Sequence, residues 1–148
     1  MTTNYFLSTV RYEKTMENGL NKTVSEQYLF DALSFTEAEA RTIEELQPYI
    51  SGEFSIPQIV KPRISELMLS EDMSADRYYK VKVAFITIDE KNRAVKKANS
   101  FMLVQASDFK NAYERFIDGM KGTMADYEIV SIVETQILAY YPAKHDEK

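Results

Sequence analysis

The chain has no cysteine and no tryptophan, and its single histidine, His145, stands close to the C-terminus. These gaps remove the thiolate and imidazole ligands of ordinary zinc and copper sites, together with the Cys and His routes to nucleophilic catalysis. Without cysteine, the redox state of the compartment leaves no trace in the sequence. No window approaches the ~18 apolar residues of a membrane-spanning helix. The opening Met1-Thr2-Thr3-Asn4-Tyr5-Phe6-Leu7 has neither the basic start nor the apolar stretch of a signal peptide. A cytoplasmic protein without membrane contact is expected. Long runs of one charge are missing too: 18 Lys and Arg stand against 23 Asp and Glu, a net charge of −5, which is a poor match for a strongly nucleic-acid-seeking protein. The acidic pairs Glu44-Glu45, Glu71-Asp72 and Asp89-Glu90 are sequence neighbours in helical or turn contexts. They read as solvated surface, with no tuned acid and base among them. The sequence points to no metal, no cofactor and no catalytic residues, and the expected class is non-enzymatic.

What is present is enough apolar material for a core. At 148 residues and 45% hydrophobic, the chain has the size of one domain, residues 1–148. Shifting the sequence by 74 lays Ala32, Phe35, Ala38 and Arg41 onto Ala106, Phe109, Ala112 and Arg115, and a shift of 73 lays Tyr5, Phe6, Val10 and Tyr12 onto Tyr78, Tyr79, Val83 and Phe85. The same shift of 73 lays Phe54, Ile56, Ile59 and Val60 onto Tyr127, Ile129, Ile132 and Val133. Three blocks in one order predict an internal repeat. Repeat one covers residues 5–69 and repeat two 77–141, with an acidic connector over 70–76 and a frayed tail over 142–148.

Each repeat reads β-β-α-β. Strands over 5–13 and 77–88 lead through Glu17-Asn18-Gly19 or Asp89-Glu90-Lys91-Asn92 into second strands ending at Asp31 or Gln105. Asn-Gly suits a hairpin turn because both residues tolerate positive φ. Ser34 with Glu37, or Thr36 with Glu39, can form a capping box before the first helix, and Ser107 or Asp108 can cap the second. Phe109, Ala112, Phe116, Ile117 and Met120 form one apolar stripe at helical spacing. Gly119 and Gly122, like Pro48 and Gly52, mark the helix ends. The closing strands, 53–69 and 126–141, are irregular. Pro57 and Pro62 predict an edge position or a bulge in the first, and broken alternation predicts a bulge near Ser131 in the second. The expected fold is α+β: two pseudo-symmetric β-β-α-β repeats packed as one domain, a mainly antiparallel sheet with two covering helices.

Charge is divided unequally, with a balance of −6 over residues 1–74 and +1 over 75–148. Lys80 and Lys82 alternate on a strand whose other face carries Tyr79, Val81, Val83 and Phe85, and the following hairpin holds Lys91, Arg93, Lys96 and Lys97. A basic ribbon of this kind can follow a phosphate backbone; lysines also protect a sheet from edge pairing. Tyr12, Tyr28, Tyr49, Tyr78, Tyr79, Tyr127, Tyr140 and Tyr141 can stack planar ligands, although core packing is their commoner use. The segment Gly119-Met120-Lys121-Gly122-Thr123 has the composition of a phosphate loop, but it leaves a helix where a phosphate loop enters one. Helix capping explains it better, with Lys121 and Thr123 at the border of a pocket.

The runs Val10-Arg11-Tyr12-Glu13-Lys14-Thr15, Asp31-Ala32-Leu33-Ser34-Phe35-Thr36-Glu37-Ala38-Glu39-Ala40-Arg41 and Met120-Lys121-Gly122-Thr123-Met124-Ala125-Asp126-Tyr127 resemble a domain-of-unknown-function family of small proteins from Bacteroides-group bacteria and their phages. The similarity extends from residue 5 to residue 141. It implies a cytosolic protein of a phage or mobile element and supplies no catalytic residues. Two readings of function follow. The first is a binding or inhibitory module that self-associates and takes a small ligand such as a nucleotide signal, or a host protein. Its ligand-binding residues would be Lys80, Lys82, Lys121, Thr123 and Tyr127, in a groove between the repeats. The second is a single-stranded nucleic-acid-binding accessory protein using Lys80, Lys82, Lys91, Arg93, Lys96 and Lys97.

Overall fold

Alternation of apolar and polar residues builds the first hairpin of the computed structural model, which describes residues 4–143. In β1 (Tyr5–Thr15) the side chains of Phe6, Ser8 and Val10 are buried on one face, and β2 (Asn21–Asp31) pairs with it antiparallel from Tyr5↔Asp31 to Thr15↔Asn21. The turn differs from the expected Asn-Gly geometry. Gly19 alone is left-handed, with φ +84°, and closes the loop by donating its N–H to the Met16 carbonyl at 2.9 Å. Asn18 keeps negative φ and uses its side-chain oxygen to accept from the Leu20 N–H at 3.0 Å, the local alternative open to asparagine.

Helix α1 (Phe35–Leu46) begins at Ser34, whose hydroxyl accepts from the Glu37 N–H at 3.1 Å, while the Glu37 carboxylate accepts from the Leu33 N–H. The Ser34 register of the capping box is therefore the one used. After a 3-10 turn at Gln47–Tyr49 comes β3 (Phe54–Val60). The strand expected over 53–69 is in fact two, because β4 (Glu66–Met68) follows only after a break containing Pro62, which has no N–H to give a ladder.

The second half runs in the same order: β5 (Arg77–Ile88), β6 (Val95–Ala106), α2 (Phe109–Gly119), β7 (Asp126–Glu134) and β8 (Ile137–Tyr141). The strand expected over 126–141 is likewise divided, at Thr135 and Gln136. Asp108 caps α2 by accepting from the Asn111 N–H at 2.8 Å, and Asn111 accepts in return from the Ser107 N–H at 3.0 Å. Of the expected stripe, Ala112, Phe116 and Met120 are buried and Ile117 is partly so. Phe109 stays half-exposed in the first turn, with its ring edge-on to Tyr79 at 6.5 Å. Residues 144–148, His145 among them, lie outside the described part of the chain. No helix among the described residues is long and apolar enough to cross a membrane.

The β5–β6 turn contains Arg93 at φ +58°, the one described non-glycine residue with positive φ. That conformation costs an L side chain about 1–2 kcal/mol, and glycine gives back part of the relief through its freer unfolded state. Arg93→Gly is expected to raise stability by about 0.5–1 kcal/mol, read as a higher urea midpoint at unchanged slope.

Two compact units result, each with a four-stranded sheet and one helix: unit 1 from the chain up to Pro62 and from Gln136 onward, unit 2 from Arg63–Thr135. The strand orders are β3-β1-β2-β8 and β4-β6-β5-β7. Each sheet is antiparallel except for one parallel edge strand, β8 on β2 and β4 on β6, and each of these comes from the opposite half of the chain. The edge strand β3 is bulged around Ile56 and Pro57, where the register slips between Thr9 and Arg11; β7 is bulged at Val130, beside Ser131. Both irregularities match the sequence reading.

In unit 1, α1 packs on the face that carries Phe6, Val10, Tyr28 and Phe30. The buried Ser8 and Thr42 hydroxyls meet there at 2.8 Å, and Thr42 donates to the Ala38 carbonyl at 2.7 Å. Unit 2 fills the matching positions with apolar groups: Val81, Val83, Met102, Val104 and Phe116 form its core. Each helix also carries an arginine that secures the end of the second strand. Arg41 Nη1 donates to the Asp31 carbonyl and Arg115 Nε to the Gln105 carbonyl, both at 3.0 Å.

Candidate functional site

Strand parity decides what the sheet of unit 2 presents on each face. Val81, Val83 and Phe85 point toward α2, so Lys80 and Lys82 point the other way, as the sequence predicts. Register then brings Phe101 opposite Lys82 and Leu103 opposite Lys80. The Phe101 ring becomes the centre of a cationic cluster: Lys80 Nζ lies 4.8 Å and Lys82 Nζ 6.0 Å from its centroid, and the Arg63 guanidinium carbon lies 4.7 Å from it. Cations are attracted to the ring quadrupole at these distances, but the ring carries no net charge and cannot neutralise them. Among the described residues, none of the three has a carboxylate within ion-pairing range.

The remaining predicted residues are distributed differently. Tyr127 pairs with Phe85 and packs edge-on against Phe116 at 6.1 Å, which puts it on the helix-side face, away from Lys80 and Lys82. Lys121 pairs with Asp118 at 3.1 Å on the exposed loop after α2, and Thr123 there donates its N–H to the Met120 carbonyl. That segment is a helix terminus stabilised locally. Lys97 bonds Glu128 at 3.0 Å, and Lys96 approaches Asp89 at 3.9 Å. Lys91 and Arg93 sit in the hairpin turn, where Asp89 accepts from both the Lys91 N–H and, through its carbonyl, the Arg93 N–H. Lys80 and Lys82 are thus the predicted residues that the fold gathers. It adds Arg63 and Phe101, which no motif in the sequence announces.

Unit 1 has a polar cluster of a different kind. Tyr12 and Tyr28 both donate to Glu26 Oε1, at 3.0 and 2.8 Å. Burial, followed by the hydrogen bond to Glu26, pushes the Tyr28 hydroxyl well above the usual tyrosine range. An open cavity of about 760 Å³ lies next to Tyr12, Lys14, Tyr49 and Glu53. With Lys14 and Glu53 both on its wall, no one ligand charge is selected. Among the described residues, no three His, Cys, Asp or Glu side chains converge as a metal site.

One family model, described as Domain of unknown function (DUF4494), matches residues 4–143. No curated protein matches the chain.

Proposed function

We propose that the chain, which belongs to the DUF4494 family, is a non-enzymatic binding module that takes a small phosphate-bearing ligand, such as a nucleotide, on the Phe101 face of unit 2. The observation that carries this reading is the convergence of Arg63, Lys80 and Lys82 on one ring, with no acidic partner for them among the described residues. Like charges held together repel, and a bound phosphate relieves that repulsion while accepting charge-assisted hydrogen bonds from all three. The module, encoded by a Bacteroides-group bacterium or its phage, acts in the bacterial cytoplasm by sequestering a nucleotide signal or occupying a host protein, and it self-associates. The matching strand orders of the two units and the equivalent roles of Arg41 and Arg115 support an origin by duplication.

Titration with pyrophosphate, ATP and cyclic nucleotides, followed by thermal shift and calorimetry, tests the reading. Stabilisation should grow with ligand concentration as mass action requires. Each lost cationic contact should weaken binding roughly tenfold, so that Lys80→Glu with Lys82→Glu abolishes it. A flat response to every phosphate ligand would overturn the proposal.

A second reading, single-stranded nucleic acid binding, is favoured by the reach of the β5–β6 hairpin, which continues past the last β7 pair at Ile86↔Asp126. It predicts oligonucleotide binding that falls steeply with salt and depends on Lys91 and Arg93. It ranks second because Lys96 and Lys97 already have acidic partners.

A further inference from the structure

We infer that ligand binding on the Phe101 face and docking of β4 onto β6 are one linked equilibrium, joined through Arg63. The inference rests on the phosphate-binding reading above. Strand β4 is three residues long, lies at a sheet edge and pairs only with Met102, Leu103 and Val104. So short an edge strand opens at much lower free energy than the sheet behind it.

Its two ends are fastened differently. At the C-terminal end, Arg115 Nη2 donates to the Leu69 carbonyl at 2.7 Å, and Gln105 Oε1 accepts from the Ser70 N–H at 2.9 Å. The N-terminal end depends on Ser65. Its N–H and hydroxyl both donate to the Phe101 carbonyl, at 2.7 and 2.9 Å, and its Oγ meets Ser100 Oγ at 2.7 Å. Arg63 stands two residues before Ser65, where the chain passes from unit 1 into unit 2 at Pro62. Anchoring Ser65 to the Phe101 backbone holds Arg63, two residues away, where its guanidinium reaches the Phe101 ring, and undocking β4 would remove that constraint. An anion that uses Arg63 therefore binds the docked state of β4 and must stabilise it by its differential affinity. Conversely, anything that undocks β4 lowers the apparent affinity by the docked fraction.

Hydrogen exchange of the full chain, with and without saturating pyrophosphate or ATP, separates the possibilities. Binding should slow exchange across residues 65–68. Ser65→Ala, which removes no ligand contact, should speed exchange there and weaken affinity several-fold. Lys80→Gln should weaken binding but keep the protection at saturation. Arg63→Gln should bind weakly and lose the protection. Saturable binding that leaves exchange at 65–68 unchanged, or protection that survives in Arg63→Gln, would overturn the coupling while leaving the binding reading intact. Absence of binding to both probes would overturn both.

Discussion

Phe116→Ala is expected to destabilise unit 2 by about 3–5 kcal/mol, the range for emptying a fully buried aromatic position. The ring has no solvent exposure, sits among Val81, Val83, Met102, Val104 and Met120, and meets Tyr127 edge-on at 6.1 Å. These neighbours come from both central strands and the helix, so no single side chain can move in to fill the space. Phe109→Ala, at a half-exposed ring on the same helix, should cost only about 1 kcal/mol. Urea unfolding of the two variants checks the contrast. Equal losses would mean that the buried face of α2 has been misassigned.

Ending the chain after Thr135 should have a larger consequence, confined to unit 1. Strand β8 contributes the parallel pairs Tyr28↔Ala139, Leu29↔Tyr140 and Phe30↔Tyr141, and the Tyr141 ring stacks on Phe30 at 4.8 Å with planes 14° apart. Ile137 is also buried. Burying one large apolar side chain contributes about 1.5–3 kcal/mol, so losing two of them with their ladder removes much of the ~5–15 kcal/mol that holds a small domain together. In proton–nitrogen correlation spectra, amides of residues 4–62 should collapse toward random-coil positions, while those of 63–135 keep their dispersion. A peptide of residues 136–148 supplied in trans should restore them by adding a strand to β2. Retained dispersion in unit 1 without that peptide would contradict the assignment of β8 as an essential strand.

The local signals were legible. Alternation places Lys80 and Lys82 opposite Val81 and Val83, Ser34 and Asp108 announce the helix starts, and Pro57 and the broken pattern near Ser131 announce the bulges. What escaped was partner choice. Glu66-Leu67-Met68 is too short to read as a strand of its own, and parallel pairing between distant segments has no turn to mark it. Reading 53–69 and 126–141 as single strands hid the crossing of β4 and β8 between the units. The site was half legible for the same reason. Its lysines follow from strand parity, but Arg63 and Phe101 are brought together by the β4–β6 pairing. Tyr127 belongs with the core and not with the lysines, because its alignment with Phe54 and its pairing with Phe85 put it on the core face.

Because unit 2 is one unbroken stretch and unit 1 is closed by β8, which follows unit 2 in the chain, synthesis on the ribosome imposes an order on assembly. Residues 4–62 emerge with the outer edge of β2 bare, and they stay incomplete while all of unit 2 is translated and closes. Unit 1 is thus begun before unit 2 and closed after it, and during that interval it offers a strand edge that a chaperone could shield or another nascent chain could capture.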